Sequence, residues 1–286
     1  MDLVGQIVPF PFQNLIKMID NAGKNALIFG VRNDLSLAWS VAQKLHQSGC
    51  QLTLAVASEN VSEIQHLVSS QNMAAAVVSV DVRNDEQILE VVNVATRSQQ
   101  SIDYLLHAVA YGDHNVMCSV VPGTKEEPSA DLDINYESLV DSFNISAFSL
   151  LRMVRIAKPF LSKGASILAL SFDAARQIYP GYAGMSINKA ALENIVMYLA
   201  YYLGKEEIRV NVISAGMVMT TSAGGIKGSR TLRKIAKNSA PLGNIKAEDV
   251  GNASLYYFSD LSKKVTANIH YVDGGINKMG IFDNEL

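Results

Sequence analysis

Short continuous apolar runs recur along this chain, separated by longer stretches in which apolar residues return every three or four positions. The runs are Ala26–Phe29, Gln51–Ala57, Ala75–Val80, Tyr104–His107, Ser166–Leu170, Arg209–Ile213 and Ile269–Val272. Because most are continuous rather than alternating, they predict strands covered on both faces. Helical spacing marks Leu37–Leu45, Leu139–Phe160, Ala190–Leu203 and Ala247–Phe258. This alternation predicts an α/β fold, a single-domain, Rossmann-like, doubly wound parallel sheet of about seven strands.

Three regions stand outside the alternation. Residues 1–23 precede the first strand and read as an N-terminal extension lying on the surface or on a neighbouring subunit, ahead of one domain over 24–286. Residues 111–133 form a connection far longer than the roughly two to six residues usual between a strand and its helix. Residues 217–243, with Gly224, Gly225 and Gly228, read as a flap. Both of the latter follow strand ends, where doubly wound sheets bind ligands.

Composition narrows the class. The chain has 286 residues, 49% of them hydrophobic, enough for a full core. With 24 Lys+Arg against 27 Asp+Glu, the net charge of −3 offers neither a basic field for nucleic acid nor an acidic tail. Cys50 and Cys118 have no CxxC or Cys/His partner spacing, so neither a disulfide framework nor a metal site is expected. The first residues carry Asp2, no early Lys or Arg, and Pro9 and Pro11, unlike a signal peptide. No run approaches the roughly 18 apolar residues of a spanning helix. The expectation is a cytoplasmic protein with neither membrane nor nucleic-acid partner.

Candidate chemistry sits at the strand ends. The first run ends at Gly30, and Ser36 and Leu37 open the next helix, whose free N–H groups suit a pyrophosphate. A plain turn with Ser36 as helix cap reads equally well. The second run ends at Ala57-Ser58, and no Lys or Arg occurs between Lys44 and Arg83, which favours NADH over NADPH. Asp81-Val82 after the third run suits an adenine amino group and ring, or else Asp81 caps the following helix. His107 reads as a buried, hydrogen-bonded histidine rather than a catalytic one.

After the fifth run, Tyr182 and Lys189 are seven residues apart. That spacing spans about 700° of helix and would set them on one face. A lysine ammonium there can hold a ribose diol and lower the phenol's pKa, and the phenol can then stabilise a developing oxyanion. On spacing alone, a core tyrosine and a solvated lysine remain the simpler reading.

Taken together, Gly30-x5-Ser36-x-Ala38, Asp81-Val82, Tyr182-x6-Lys189, the stretch IRVNVISAG (Ile208–Gly216), Thr220–Lys227 and the closing HYVDGG (His270–Gly275) carry a resemblance. The chain resembles the NADH-dependent enoyl-acyl-carrier-protein reductases, a divergent family of the short-chain dehydrogenases, from about Lys24 to its end. Phe172, where many bacterial members have a second tyrosine, is similar to the mycobacterial long-chain enoyl reductase.

The resemblance implies NAD contacts at Gly30, Ser36, Leu37, Ser58, Asp81, Val82, Val109, Ala110, Lys189, Ala215, Gly216, Val218 and Thr220. It implies catalytic places for Tyr182, Lys189 and Phe172, and an acyl site lined by Tyr111, Gly112, Phe172, Tyr182 and Met185. It further implies reduction of a trans-2-enoyl thioester, on acyl carrier protein or coenzyme A, and a homotetramer built on the apolar faces of Leu139–Phe160 and Ala190–Leu203.

Two departures stand out. Met217 takes the place of the proline that follows the Ala-Gly pair in the family, and Ala110 that of a glycine beside the acyl pocket. The alternatives are a carbonyl-reducing short-chain dehydrogenase and a non-catalytic NAD-binding relative. The first would need a YxxxK pair, but position 186 is a serine and Ser171 lies 11 residues before Tyr182.

Overall fold

A computed structural model describes residues 19–97, 101–113, 115–117, 134–179, 181–220 and 229–280, leaving aside the side chains of 229–232. Seven strands make one sheet: β1 (Asn25–Phe29), β2 (Gln51–Val56), β3 (Ala75–Ser79), β4 (Ile102–His107), β5 (Leu161–Phe172), β6 (Arg209–Ala215) and β7 (Ile269–Val272). Their order is β3-β2-β1-β4-β5-β6-β7, and every pairing is parallel. All residues of β1 and β6 are buried, which is why these runs show no polar alternation.

The helices are α1 (Leu37–Gln47), α2 (Val61–Ser70), α3 (Asp85–Ala95), α4 (Tyr136–Phe143), α5 (Ser149–Ala157), α6 (Ala183–Leu203), α7 (Ser229–Ser239) and α8 (Ala247–Tyr257). One face of the sheet packs against Trp39, Leu45, Ile64, Val250, Tyr257 and Phe258, from α1, α2 and the α8 region. The other packs against Ile88, Val92, Leu150, Val154, Leu192 and Val196, from α3, α5 and α6. Two apolar layers over a parallel sheet are the doubly wound architecture that the alternation predicts.

The structure redraws three elements. β5 begins at Leu161, which pairs with Ile102, five residues before the predicted start at Ser166; its opening carries the exposed Lys163 and Gly164 and so shows no apolar run. The predicted helix Leu139–Phe160 is α4, a π-helical turn at Asn144–Phe148, α5 and a 3-10 turn at Lys158–Phe160. Within the predicted flap, residues 229–239 form α7. Residues 1–18, 118–133, including Cys118, and 221–228 lie outside the described residues.

Asn21, inside the predicted extension, is buried; its amide donates to Ser48 Oγ and its Oδ1 accepts from the Tyr104 hydroxyl. Cys50 is a buried free thiol, pushed up to about 12 chiefly by burial. Among the described residues, no helix is long and apolar enough to cross a membrane, and no cluster of three potential metal ligands occurs.

Candidate active site

Parallel pairing brings the carboxyl ends of β1 to β6 to one edge of the sheet, and the sequence-predicted residues follow those ends. Gly30 leaves β1, Ser58 leaves β2, Asp81 and Val82 follow β3, and Val109 to Gly112 follow β4. Phe172 ends β5 and Ala215 ends β6, with Gly216, Val218 and Thr220 beyond it. In the sheet order the adenine-side candidates therefore lie toward β3 and β2, and the catalytic candidates beyond β4.

Gly30 has φ +99°, and a Cβ there would meet Ala108 O at 2.3 Å. Only glycine lets β1 turn this close to the end of β4. Ser36 occupies the N-cap position of α1, but its side chain makes no cap bond; its hydroxyl donates instead to Asn33 O at 2.6 Å. The capping reading of Ser36 is thus corrected, and the helix N-terminus keeps its positive end uncapped by that side chain.

Asp81 does not cap the next helix either, since Asn84 accepts from Glu86 N and Gln87 N at the start of α3. Asp81 instead pairs with Arg83, which reaches on to Asp141 of α4 at 3.0 Å. Hydrogen bonds from Arg83 hold the Asp81 carboxyl below its usual range. All three side chains are more than 40% exposed, so the cluster adds only about 0–1 kcal/mol to stability per pair. Ser58 opens a short 3-10 turn and donates to Glu59 at 3.4 Å.

Tyr182 does not lie inside the helix, as its spacing to Lys189 suggests, but at the N-cap of α6, with non-helical φ −121° and ψ 13°. Gly181, at φ +83°, turns the chain immediately before it. The Tyr182 ring meets Phe172 edge-on at 5.3 Å, and Tyr179 covers Phe172 from another side at 4.6 Å. Lys189 is buried, not solvated, and donates to Leu170 O at 2.9 Å.

Burial lowers Lys189 to about 8, with the nearby Glu193 partly opposing. Burial also pushes the Tyr182 phenol up to about 12. The expected lowering of that phenol by Lys189 is therefore corrected: the lysine turns to the β5 carbonyl and desolvation governs the phenol.

His107 is fully buried, with Nε2 2.8 Å from Ser149 Oγ, as the sequence reading expects. Ser149 gives its own proton to Ile145 O, so Nε2 is the protonated nitrogen. Burial and the Lys189 charge hold the imidazole down to about 3, hence neutral. On the acyl side Met185 is buried, Gly112 half-buried and Tyr111 49% exposed.

Sequence reasoning passes over two buried polar groups here. Glu193 accepts from Ser171 at 2.8 Å and from Arg176 at 2.9 Å, tying α6 to the end of β5. Ser142, Ser146 and Ser149 form a buried polar row, with Ser142 and Ser146 on Tyr111 after β4, Ser149 on His107 at the end of β4, and Asn188 of α6 on Ser142. The available signal is serine at helical spacing within an apolar stripe.

The comparisons agree with this geometry. A family model described as enoyl-(acyl carrier protein) reductase matches residues 30–277. The enoyl-[acyl-carrier-protein] reductase [NADH] of Rickettsia typhi is 36% identical over 90% of this chain and 95% of its own length. That of Bacillus subtilis is 32% identical over 89% and 96%. The crystal structure of a FabI–NADH complex from Alistipes finegoldii superposes with TM-score 0.83 at 30% identity, covering 92% of this chain and 91% of that one. The Anaplasma phagocytophilum enoyl reductase in complex with NAD gives 0.82 at 32% identity, covering 94% and 96%. With its glycine turn against β4, its buried lysine and its tyrosine at the mouth of α6, this chain belongs to the enoyl-acyl-carrier-protein reductase family.

Proposed function

We propose that this protein reduces the 2,3 double bond of a trans-2-enoyl thioester carried on acyl carrier protein, using NADH, in fatty-acid synthesis. The observation that carries the reading is the Tyr182–Phe172–Lys189 group at the carboxyl edge of the sheet, with Lys189 buried and Tyr182 edge-on to Phe172.

The residues present fit the cofactor. Gly30 leaves a passage that a Cβ would fill, and α1 presents an N-terminus not capped by Ser36. Asp81 and Val82 would hold the adenine, Ser58 the adenosine ribose, and Leu37 the pyrophosphate neighbourhood. Val109, Ala110, Ala215, Gly216, Val218 and Thr220 would surround the nicotinamide end. NADH, when bound, supplies the hydride that adds to Cβ of the enoyl group.

The chain's own groups do the rest. Lys189, an ammonium below about pH 8, would donate to the ribose hydroxyls. Tyr182, raised to about 12, stays protonated at neutral pH and acts as a hydrogen-bond donor to the thioester oxygen as that oxygen takes enolate charge. Phe172 fixes the Tyr182 ring from the side. The Cα proton then comes from water. Tyr111, Gly112 and Met185 line the acyl chain.

We further propose a cytoplasmic homotetramer, with residues 1–23 as an extension to the 24–286 domain. Exposed Phe148 and Leu151 on the α5 side, and Tyr198, Tyr201 and Tyr202 on α6, support an apolar subunit contact. The test is NADH oxidation at 340 nm with crotonyl and dodecenoyl thioesters on both carriers, beside the Tyr182→Phe variant. Turnover is expected, falling about 10²-fold in kcat in the variant with NADH affinity unchanged. NADH binding without turnover by the wild type would overturn the proposal, and equal losses of kcat and NADH affinity would remove Tyr182 from its role.

A further inference from the structure

The segment after β4 is gripped through its backbone at one residue. Ser146 Oγ accepts from Tyr111 N at 2.9 Å and lies 3.0 Å from Tyr111 O. Ser142 Oγ donates to the same carbonyl at 2.5 Å, and Asn188 Nδ2 donates to Ser142 Oγ at 2.6 Å. The result is a hydrogen-bond chain from α6 through α4 to Tyr111, and Ser142 and Asn188 are fully buried along it.

A hydroxyl has one proton, so with that proton on Tyr111 O the Met185 sulfur, 3.3 Å from Ser142 Oγ, is held as a close contact. Across the same place, a Cβ on Gly112 would sit 2.8 Å from Met185 Sδ. Tyr111, Gly112 and Met185 thus form one tight wall, and Ser142 touches two of its three members.

Asn188 sharpens the point. Its Oδ1 is buried with no protein partner. A half-satisfied buried amide is costlier than an apolar side chain of similar size. A role limited to filling space would be better served by leucine or methionine, whereas the amide hydrogen on Ser142 orients that hydroxyl toward the carbonyl. Ser142 and Ser146, four residues apart, share one helical face against Tyr111, and Ser146 sits in the π-helical turn Asn144–Phe148, a kind of turn that concentrates at functional sites.

We infer that Ser142 and Asn188 are positioning residues for the acyl chain: they lock the Tyr111–Gly112–Met185 wall and so set affinity for the enoyl thioester rather than for the cofactor. This rests on the enoyl-reductase reading of the site. A wall met equally by the ground and transition states contributes to KM and leaves kcat nearly untouched.

The experiment measures kcat and KM for dodecenoyl and crotonyl thioesters, NADH affinity and thermal unfolding for wild type, Ser142→Ala, Ser142→Thr and Asn188→Ala. Ser142→Ala is expected to raise the dodecenoyl KM about tenfold, as for one lost buried hydrogen bond. NADH affinity should stay within about twofold, Ser142→Thr should restore KM, and Asn188→Ala in the Ser142→Ala background should add little. If Ser142→Ala does not fold, Ser142→Cys, with its weak donor, carries the same expectation.

Wild-type turnover with an unchanged KM in a folded Ser142 variant overturns this inference and leaves the enzymatic reading standing. An NADH affinity falling in step with the rise in KM overturns it too, by showing general loosening. Absence of wild-type turnover overturns both.

Discussion

Gly30→Ala tests the geometry at the heart of the proposed cofactor site. The new methyl would lie 2.3 Å from Ala108 O, 2.5 Å from Ala108 C and 3.0 Å from Val109 N, all backbone atoms that no rotamer change can move. Relief requires the turn after β1 or the end of β4 to shift by about 1 Å, to reach ordinary contact distance. Overpacking of this kind costs about 1–3 kcal/mol, and a residue with a Cβ at φ +99° adds about 1–2 kcal/mol.

Gly164→Ala separates the two contributions. Gly164 also has positive φ, +81°, but a Cβ there meets nothing within 4 Å. It should therefore show the backbone cost alone. Equilibrium urea unfolding of both variants without NADH, beside NADH titrations, makes the comparison. Gly30→Ala should lose about 2–5 kcal/mol and Gly164→Ala about 1–2 kcal/mol. Because Val109 and Ala110 are carried on the displaced segment, a 1 Å shift should also cost Gly30→Ala on the order of 10²-fold in turnover. Equal stability losses in the two variants, with full activity retained at Gly30→Ala, would refute the close-approach argument.

Two further outcomes follow from the site. Lys189 is lowered by burial to about 8. Its cationic form prevails below that pH and is lost above it, so NADH affinity should fall as pH rises from 8 to 10, at most about tenfold per unit. That limb should vanish in Lys189→Met, and a flat wild-type profile would contradict the assignment. Ala110, exposed beside the proposed acyl site, brings a methyl where the family resemblance implies a glycine, so triclosan should inhibit weakly; nanomolar inhibition in a steady-state assay would refute the crowding.

The strands were legible because burial on both faces leaves runs such as Ala26–Phe29 and Arg209–Ile213 without polar interruption. β5 shows the limit of that signal, for Ser162, Lys163 and Gly164 lie within the strand at a register shift, between the Ile102–Leu161 and Tyr104–Ser166 pairings, and carry a loop's composition. The seven-residue spacing to Lys189 sets Tyr182 on a helix face, yet the left-handed Gly181 turns the chain just before it, and periodicity carries no trace of that turn.

From the sequence Asp81 suits an adenine acceptor or a cap; its engagement by Arg83 is local, but the anchoring of Arg83 on Asp141 depends on a residue 58 positions away. Ser142, Ser146 and Asn188 escaped notice for a related reason. A serine in an apolar stripe looks like mild impurity until the chain it faces, here Tyr111, is known.

The parallel order of the sheet also dictates when the site can come into being. Every neighbouring pair but β1 and β4 is consecutive in the chain, and β1 waits through β2 and β3 for β4 before its second flank is covered, since Leu27 pairs with Leu105. The loop of Gly30 therefore gains its counterpart at Ala108 only after more than a third of the chain has been made. Tyr182 and Lys189 follow β5, and Ala215 to Thr220 follow β6. The residues proposed for the adenine end therefore leave the ribosome before those proposed for the reactive end. High-separation strand pairings of this kind are also the slow steps of folding.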